Sequence, residues 1–156
     1  MPVFVVQKHA ATSLHYDFRL EVDGVMRSWA VPKGPTLDPA AKRLAVQVED
    51  HGMAHNDYEG TSSGERGVLI WDRGTYDQGG RVPWPEALDR GHAVFVLHGE
   101  KLRGGFALQR TGRGGATKPL WLLVKRRDNE ARPDSDVVAE RPESVASGKT
   151  LDELLS

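Results

Sequence analysis

One stretch constrains this chain more than any other. From Leu14 to Asp23, apolar and polar residues alternate without a break. Leu14, Tyr16, Phe18, Leu20 and Val22 share one parity; His15, Asp17, Arg19, Glu21 and Asp23 share the other. Successive side chains of a strand point to opposite faces, so this run predicts a half-buried β-strand. Asp23-Gly24 follows, a dipeptide suited to a two-residue hairpin turn. Residues 25–31 then read as the return strand, closed by Pro32. A further strand is expected at about 42–49, with Leu44, Val46 and Val48 toward the core. Arg43, Ala45, Gln47, Glu49 and His51 form its opposite parity. Others are expected at 3–7, 67–71, 93–97, 105–110 and 120–126, separated by Gly-rich turns such as Gly79-Gly80, Gly104-Gly105 and 112–115. Many short strands joined by turns predict an all-β, mainly antiparallel sandwich or barrel.

Helix is scarce. One short helix is expected at 85–90, and Thr150-Leu151-Asp152-Glu153 predicts a capping box opening another within 149–155. The polar, charged stretch 126–142 reads as a loop or tether. At 156 residues with no internal repeat, the chain reads as one domain over 1–156. Cysteine is absent, so a metal would have to sit on His, Asp or Glu. No apolar run reaches the roughly 18 residues of a membrane-spanning helix. The start of the chain lacks the layout of a secretory signal, and a cytoplasmic location is expected. With a formal net charge of −1, contact with nucleic acid would have to be local rather than driven by the overall field.

The chemistry-bearing groups cluster early. His15 and Asp17 are two apart on a strand and so share a face; His9 precedes them by a short turn's length. Two imidazoles and a carboxylate suit Mn²⁺, Fe²⁺ or Zn²⁺, with coordination positions left open. Arg19 lies on the same parity, and Arg43, Glu49 and His51 repeat a polar face on a later strand. Together these predict a polar cavity on the concave side of the sheet. A cation beside guanidinium is phosphate chemistry: the metal neutralises one oxygen and arginine grips others. Lys33, in the stiff turn Pro32-Lys33-Gly34-Pro35, adds a point charge.

Longer motifs carry a resemblance. They are Val5-Val6-Gln7-Lys8-His9, His15-Tyr16-Asp17-Phe18-Arg19-Leu20-Glu21 and Ser28-Trp29-Ala30-Val31-Pro32-Lys33-Gly34-Pro35. They continue with Lys42-Arg43-Leu44-Ala45-Val46, Val48-Glu49-Asp50-His51, Tyr58-Glu59-Gly60, Ile70-Trp71-Asp72-Arg73-Gly74-Thr75-Tyr76 and Trp121-Leu122-Leu123-Val124-Lys125. In order, and over nearly the whole chain, they resemble the 3′-phosphoesterase domain of bacterial DNA ligase D. The resemblance implies a compact antiparallel β-barrel with a crescent-shaped polar groove and one or two short helices. It implies a Mn²⁺ enzyme, with Co²⁺ or Zn²⁺ as alternatives, acting as 3′-ribonuclease and 3′-phosphatase. Its substrates would be DNA or RNA–DNA primer-template 3′ ends, cleaned to 3′-OH for end joining near the nucleoid. Carried over by motif, His9, His15 and Asp17 are metal ligands, and Arg19 and His51 contact phosphate and act in catalysis. Lys33, Arg43 and Glu49 support the same pocket, with Gln7 a further substrate contact.

This chain departs from the family pattern in two places. His55 stands where tyrosine is common, and is expected to take over the phenol's catalytic part. The stretch 61–66 is shorter than usual. The chain shows no ligase or polymerase motif, which predicts a stand-alone member serving a separate DNA ligase or end-joining complex. Two other classes fit parts of the pattern. His15-x-Asp17 with a distant His also suits an Fe²⁺ oxygenase, though such a site does not call for Arg19, Lys33 and Arg43. A barrel with a positive groove could also bind nucleic-acid ends as an adaptor without catalysis.

Overall fold

The computed structural model describes residues 2–61, 66–111 and 118–156. The turn expected at 112–115 and most of the stretch 61–66 lie outside the described residues. The alternating run forms β2 (Leu14–Val22), between β1 (Val3–Ala10) and β3 (Val25–Val31). At the β2–β3 turn Asp23 and Gly24 both have positive φ, 52° and 83°, as the tightest hairpin turn requires. Then come β4 (Arg43–His51), a 3₁₀ helix (Met53–Asp57), β5 (Gly60–Thr61) and β6 (Gly67–Gln78). The rest is α1 (Trp84–Asp89), β7 (His92–Gly99), β8 (Arg103–Arg110), β9 (Leu120–Lys125), α2 (Val137–Glu140) and α3 (Leu151–Leu155). None of these helices is long and apolar enough to cross a membrane.

Neighbours run β1-β2-β3-β4-β9-β8-β7-β6, every pair antiparallel, and β6 returns to pair with β1. The sheet therefore closes into an eight-stranded barrel, with short β5 as an added edge on β6. The barrel is filled, not hollow. Phe4, Phe18, Trp29, Phe95, Phe106 and Trp121 are at most 1% exposed. Trp29 meets Trp121 edge-on at 5.7 Å between centroids, a favoured aromatic geometry.

Two local departures from regular pairing matter. β6 bulges between its partners for Val6 and Gln7. The buried Asp72 just beyond accepts from the backbone N–H groups of Glu100, Lys101 and Leu102, tying down the β7–β8 turn. β4 bulges as well: Ser28 faces Val48, yet Met26 faces His51. One extra residue on β4 moves His51 to the face opposite that of Ala45 and Gln47.

The expected facing of β4 is reversed. Ala45 is fully buried in the core, and inward Gln47 accepts a hydrogen bond from Trp121 Nε1 at 2.9 Å. Leu44 is 43% exposed. Beside two tryptophans the interior has room for alanine and needs an acceptor for an indole N–H, so the polar parity goes inside. The stretch 126–142 is tied to the barrel rather than trailing from it. It holds α2, Val137 is buried, and Arg141 O accepts from Trp71 Nε1 at 2.8 Å. At the C-terminus the expected capping box is present, Thr150 and Glu153 bonding reciprocally.

Candidate functional site

Register assembles the site. His9 faces His15, Gln7 faces Asp17, and Val5 faces Arg19 across β1 and β2. On β3, Ser28 faces Arg19 and Ala30 faces Asp17. Tyr16, Phe18 and Leu20 belong to the barrel core, so this polar set occupies the outer face of the same strands. The cavity is thus not on the concave inner side, as the sequence pattern suggested: closure fills that side with aromatic rings. The outer face is shielded instead by the segment that follows β4. Gln7 Nε2 donates to His55 O at 2.9 Å and to Tyr58 O at 3.3 Å. Under this cover Gln7, Asp17, Arg19 and Ser28 are at most 7% exposed.

Asp17 is the hub. One carboxylate oxygen lies 3.2 Å from His15 Nε2. The other lies 3.5 Å from His9 Nδ1 and 3.4 Å from Arg19. A donor atom from each of His9, His15 and Asp17 fits within 4.8 Å of the others. Ligand atoms about 2.0–2.2 Å from one ion stand about 3–3.5 Å apart, so the spacing and the N,N,O donor set fit a divalent transition metal. Burial pushes the Asp17 carboxyl up, but the His15 hydrogen bond and the Arg19 charge outweigh it and hold the pKa below its usual value. The bond to Asp17 raises His15, whereas burial lowers His9.

Arg19 is fixed on three sides. It donates Nε–H to Gln7 Oε1 at 3.0 Å and a terminal N–H to Ser28 Oγ at 2.8 Å, and pairs with Asp17. Ser28 in turn donates to Met26 O at 3.0 Å. A planar guanidinium held this way has a fixed orientation, and its fork is of the kind that can receive an anion. Above it stand His51, delivered by the β4 bulge, and His55, with ring centroids 4.9 Å apart and stacked. Tyr58 continues the column at 6.0 Å. Burial, then the Arg19 charge, lowers the pKa of both histidines, which favours neutral rings able to donate or accept.

The remaining predicted residues lie further out. Lys33 and Arg43 line a separate cleft of about 320 Å³ with Pro32, Lys42 and Leu44, just past the strand pair Tyr16–Val31. Arg43 Nε is buried without a hydrogen-bond partner among the described residues. Glu49 is exposed and, among the described residues, acts on the site through its charge on His51. Sequence reasoning did not single out Ser28. A small polar residue directly across the hairpin from Arg19 was the available signal. Lys125, at the end of β9, is buried: it pairs with Asp128 at 2.6 Å and donates to Gly105 O and Arg126 O.

Known proteins share this arrangement of sequence. The family model described as the DNA Ligase D 3′-phosphoesterase domain matches residues 7–110. The multifunctional non-homologous end joining protein LigD of Pseudomonas aeruginosa is 52% identical over 95% of this chain. The multifunctional non-homologous end joining DNA repair protein LigD of Mycobacterium tuberculosis is 45% identical over 69% of it. That of Mycolicibacterium smegmatis, a multifunctional non-homologous end joining protein LigD, is 42% identical over 84%. The matches cover 18%, 14% and 18% of those relatives, so the chain spans less than a fifth of their length.

Proposed function

The chain belongs to the DNA ligase D 3′-phosphoesterase domain family, and from that premise we propose that it is a Mn²⁺-dependent phosphoesterase that trims nucleic-acid 3′ ends to 3′-OH. Asp17 carries the reading: its carboxylate faces two imidazole donors and a buried guanidinium at once. A cation held by these donors beside that guanidinium would suit phosphate-ester hydrolysis, which supports the reading. His9, His15 and Asp17 hold the metal, which when bound supplies Lewis-acid polarisation of a phosphate oxygen. Arg19 binds and orients the phosphoryl group. His51 and His55 donate to its oxygens or carry a proton at their ring nitrogens. Lys33 and Arg43 add positive charge at the His15 end, Glu49 biases the His51 proton, and Gln7 holds both Arg19 and the covering segment.

In this reading the substrates are primer-template 3′ ends of DNA or RNA–DNA. A terminal ribonucleoside is released first and the remaining 3′-phosphate second. A DNA ligase or end-joining complex, in the same or another chain, receives the product. The test is an end-labelled primer-template bearing one 3′ ribonucleotide, incubated with Mn²⁺. Shortening to a 3′-phosphate and then to a 3′-OH is expected, with loss of both steps on chelation and in Asp17→Ala. Undiminished cleavage under exhaustive chelation would rule out the metal mechanism. Oxygen uptake with Fe²⁺ and a 2-oxoacid, without cleavage, would move the site to a different class.

A further inference from the structure

Beside the site, a cleft of about 550 Å³ opens on the outer barrel face. Its floor is Val3, Val5, Arg73 and Thr75; Met53 and Asn56 of the 3₁₀ helix form its wall. Register makes it contiguous with the anion receptor. Val5 on β1 faces Arg19 on one side and Arg73 on β6 on the other. The three side chains therefore stand in one row on one face. With strands about 4.8 Å apart, the two arginine backbones are roughly 10 Å apart, with a valine between them. His55 belongs to the same 3₁₀ helix as the wall.

Two groups in this cleft lack a partner among the described residues. The exposed Arg73 enters none of the ion pairs formed among the described residues. Its charge is felt by Glu59, whose carboxylate is already engaged by Ile70 N and Ser144 Oγ. Asn56 Oδ1 is buried with no hydrogen-bond partner among the described residues, an unfavourable state that a ligand or water relieves. Besides its apolar floor the cleft is lined by one amide, one guanidinium, the Thr75 hydroxyl and the Asp57 carboxylate; floor, amide and guanidinium are groups that receive a base face, a base edge and a phosphate.

Resting on the phosphoesterase reading above, we propose that this cleft is the subsite for the nucleotide immediately 5′ of the scissile phosphate. Its base lies over Val3 and Met53, with the buried Val5 beneath, and its own 5′-phosphate pairs with Arg73. The leaving 3′ nucleoside cannot be the occupant that uses Arg73, because it carries no phosphate beyond the scissile one. Both processing steps therefore depend on the cleft, and a strand needs a second phosphate to bind well.

The test uses the full chain and a single-stranded oligonucleotide ending in 3′-phosphate, with binding followed by fluorescence anisotropy under chelation to prevent turnover. Arg73→Gln is expected to weaken binding about tenfold and to flatten the salt dependence by about 0.7 in log–log slope, one single-strand phosphate contact. A methylphosphonate replacing the phosphate proposed for Arg73 should weaken wild type equally and add nothing to Arg73→Gln. Under Mn²⁺, KM should rise for both product-forming steps while kcat holds. Unchanged affinity and slope in Arg73→Gln would overturn the assignment, as would a defect confined to ribonucleoside release. Arg73-dependent binding without turnover under any divalent metal would keep the nucleotide subsite and reject the phosphoesterase reading.

Discussion

Arg19 depends on its setting more than any other residue of the site. Its guanidinium is held by Gln7, Ser28 and Asp17, so its direction is fixed before a substrate arrives. Arg19→Lys keeps the charge but loses the fork. It is expected to lower the rate of phosphate release by about two to three decades, roughly 2.7–4 kcal/mol of barrier; single-turnover kinetics with a 3′-phosphate oligonucleotide would measure it. His55 stacks flat on His51, which a tyrosine ring can also do. His55→Ala should slow phosphate release at least about tenfold, and His55→Tyr should retain most of it. Burial, with Arg19 and His51 behind it, pushes the His55 imidazolium below its ordinary value. Any rate loss from its protonation should therefore appear below about pH 6.5 and weaken in His55→Tyr, readable in a pH–rate profile. Most of these residues were legible in the sequence, because His15, Asp17 and Arg19 share a parity that an apolar strand makes conspicuous. Ser28 was not, since nothing in a lone serine announces which strand it will face.

Among the elements, β2 and β4 show why one alternating pattern was readable and the other misleading. In β2 the core side chains are large and apolar, so the pattern reports burial directly. In β4 the core demands a small residue and an acceptor, Ala45 and Gln47, against Trp29 and Trp121. The bulge then reverses the parity for His51 alone. A bulge depends on a partner strand, and a single-strand reading cannot contain it. The turn after β9 illustrates a different element-scale device. Lys125 is wholly buried and its ammonium meets Asp128, whose carboxylate also caps Gly105 N and Glu130 N. Asp128→Ala leaves that buried ammonium on the Gly105 and Arg126 carbonyls without its counter-charge and should destabilise the protein by about 2–3 kcal/mol at pH 7. Thermal melts should show a fall of roughly 4–12 °C. Burial would raise the Asp128 pKa, but the Lys125 bond and the backbone donors hold it below the usual value. Its contribution is therefore full above the unfolded pKa of about 3.9 and is lost as pH falls through the folded value. The gap between wild type and variant should accordingly close only in acid.

At the scale of the whole molecule, the barrel and the chemistry occupy opposite faces of the same strands. The core that holds the fold contains no proposed ligand, so Asp17→Ala should still fold, with Tm lowered by several degrees because the buried Arg19 guanidinium loses its counter-charge. A ligand that binds only the folded state stabilises it by about 2.7 kcal/mol at a hundred times Kd. Saturating Mn²⁺ should then raise the wild-type Tm by roughly 5–11 °C and leave Asp17→Ala unmoved; calorimetry with and without chelator decides. That the strands close into a barrel rather than stack as a sandwich was not legible from local pattern. Closure rests on Val3 pairing with Thr75 and Ala10 with Gly67, contacts that no window of sequence displays. The same seam sets an order in time. His9, His15 and Asp17 lie on one hairpin, but His51 must wait for β4 and the seam for β6. Loop closure costs more as chain length between partners grows, and distant pairings form late. During refolding, a metal-dependent signal from the β1–β2 hairpin should precede protection of the β1–β6 amides. In that order the proposed metal ligands and Arg19 with its partners, all on β1–β3, come together first, and the rings of His51 and His55 join them only as β4 and the segment after it fold.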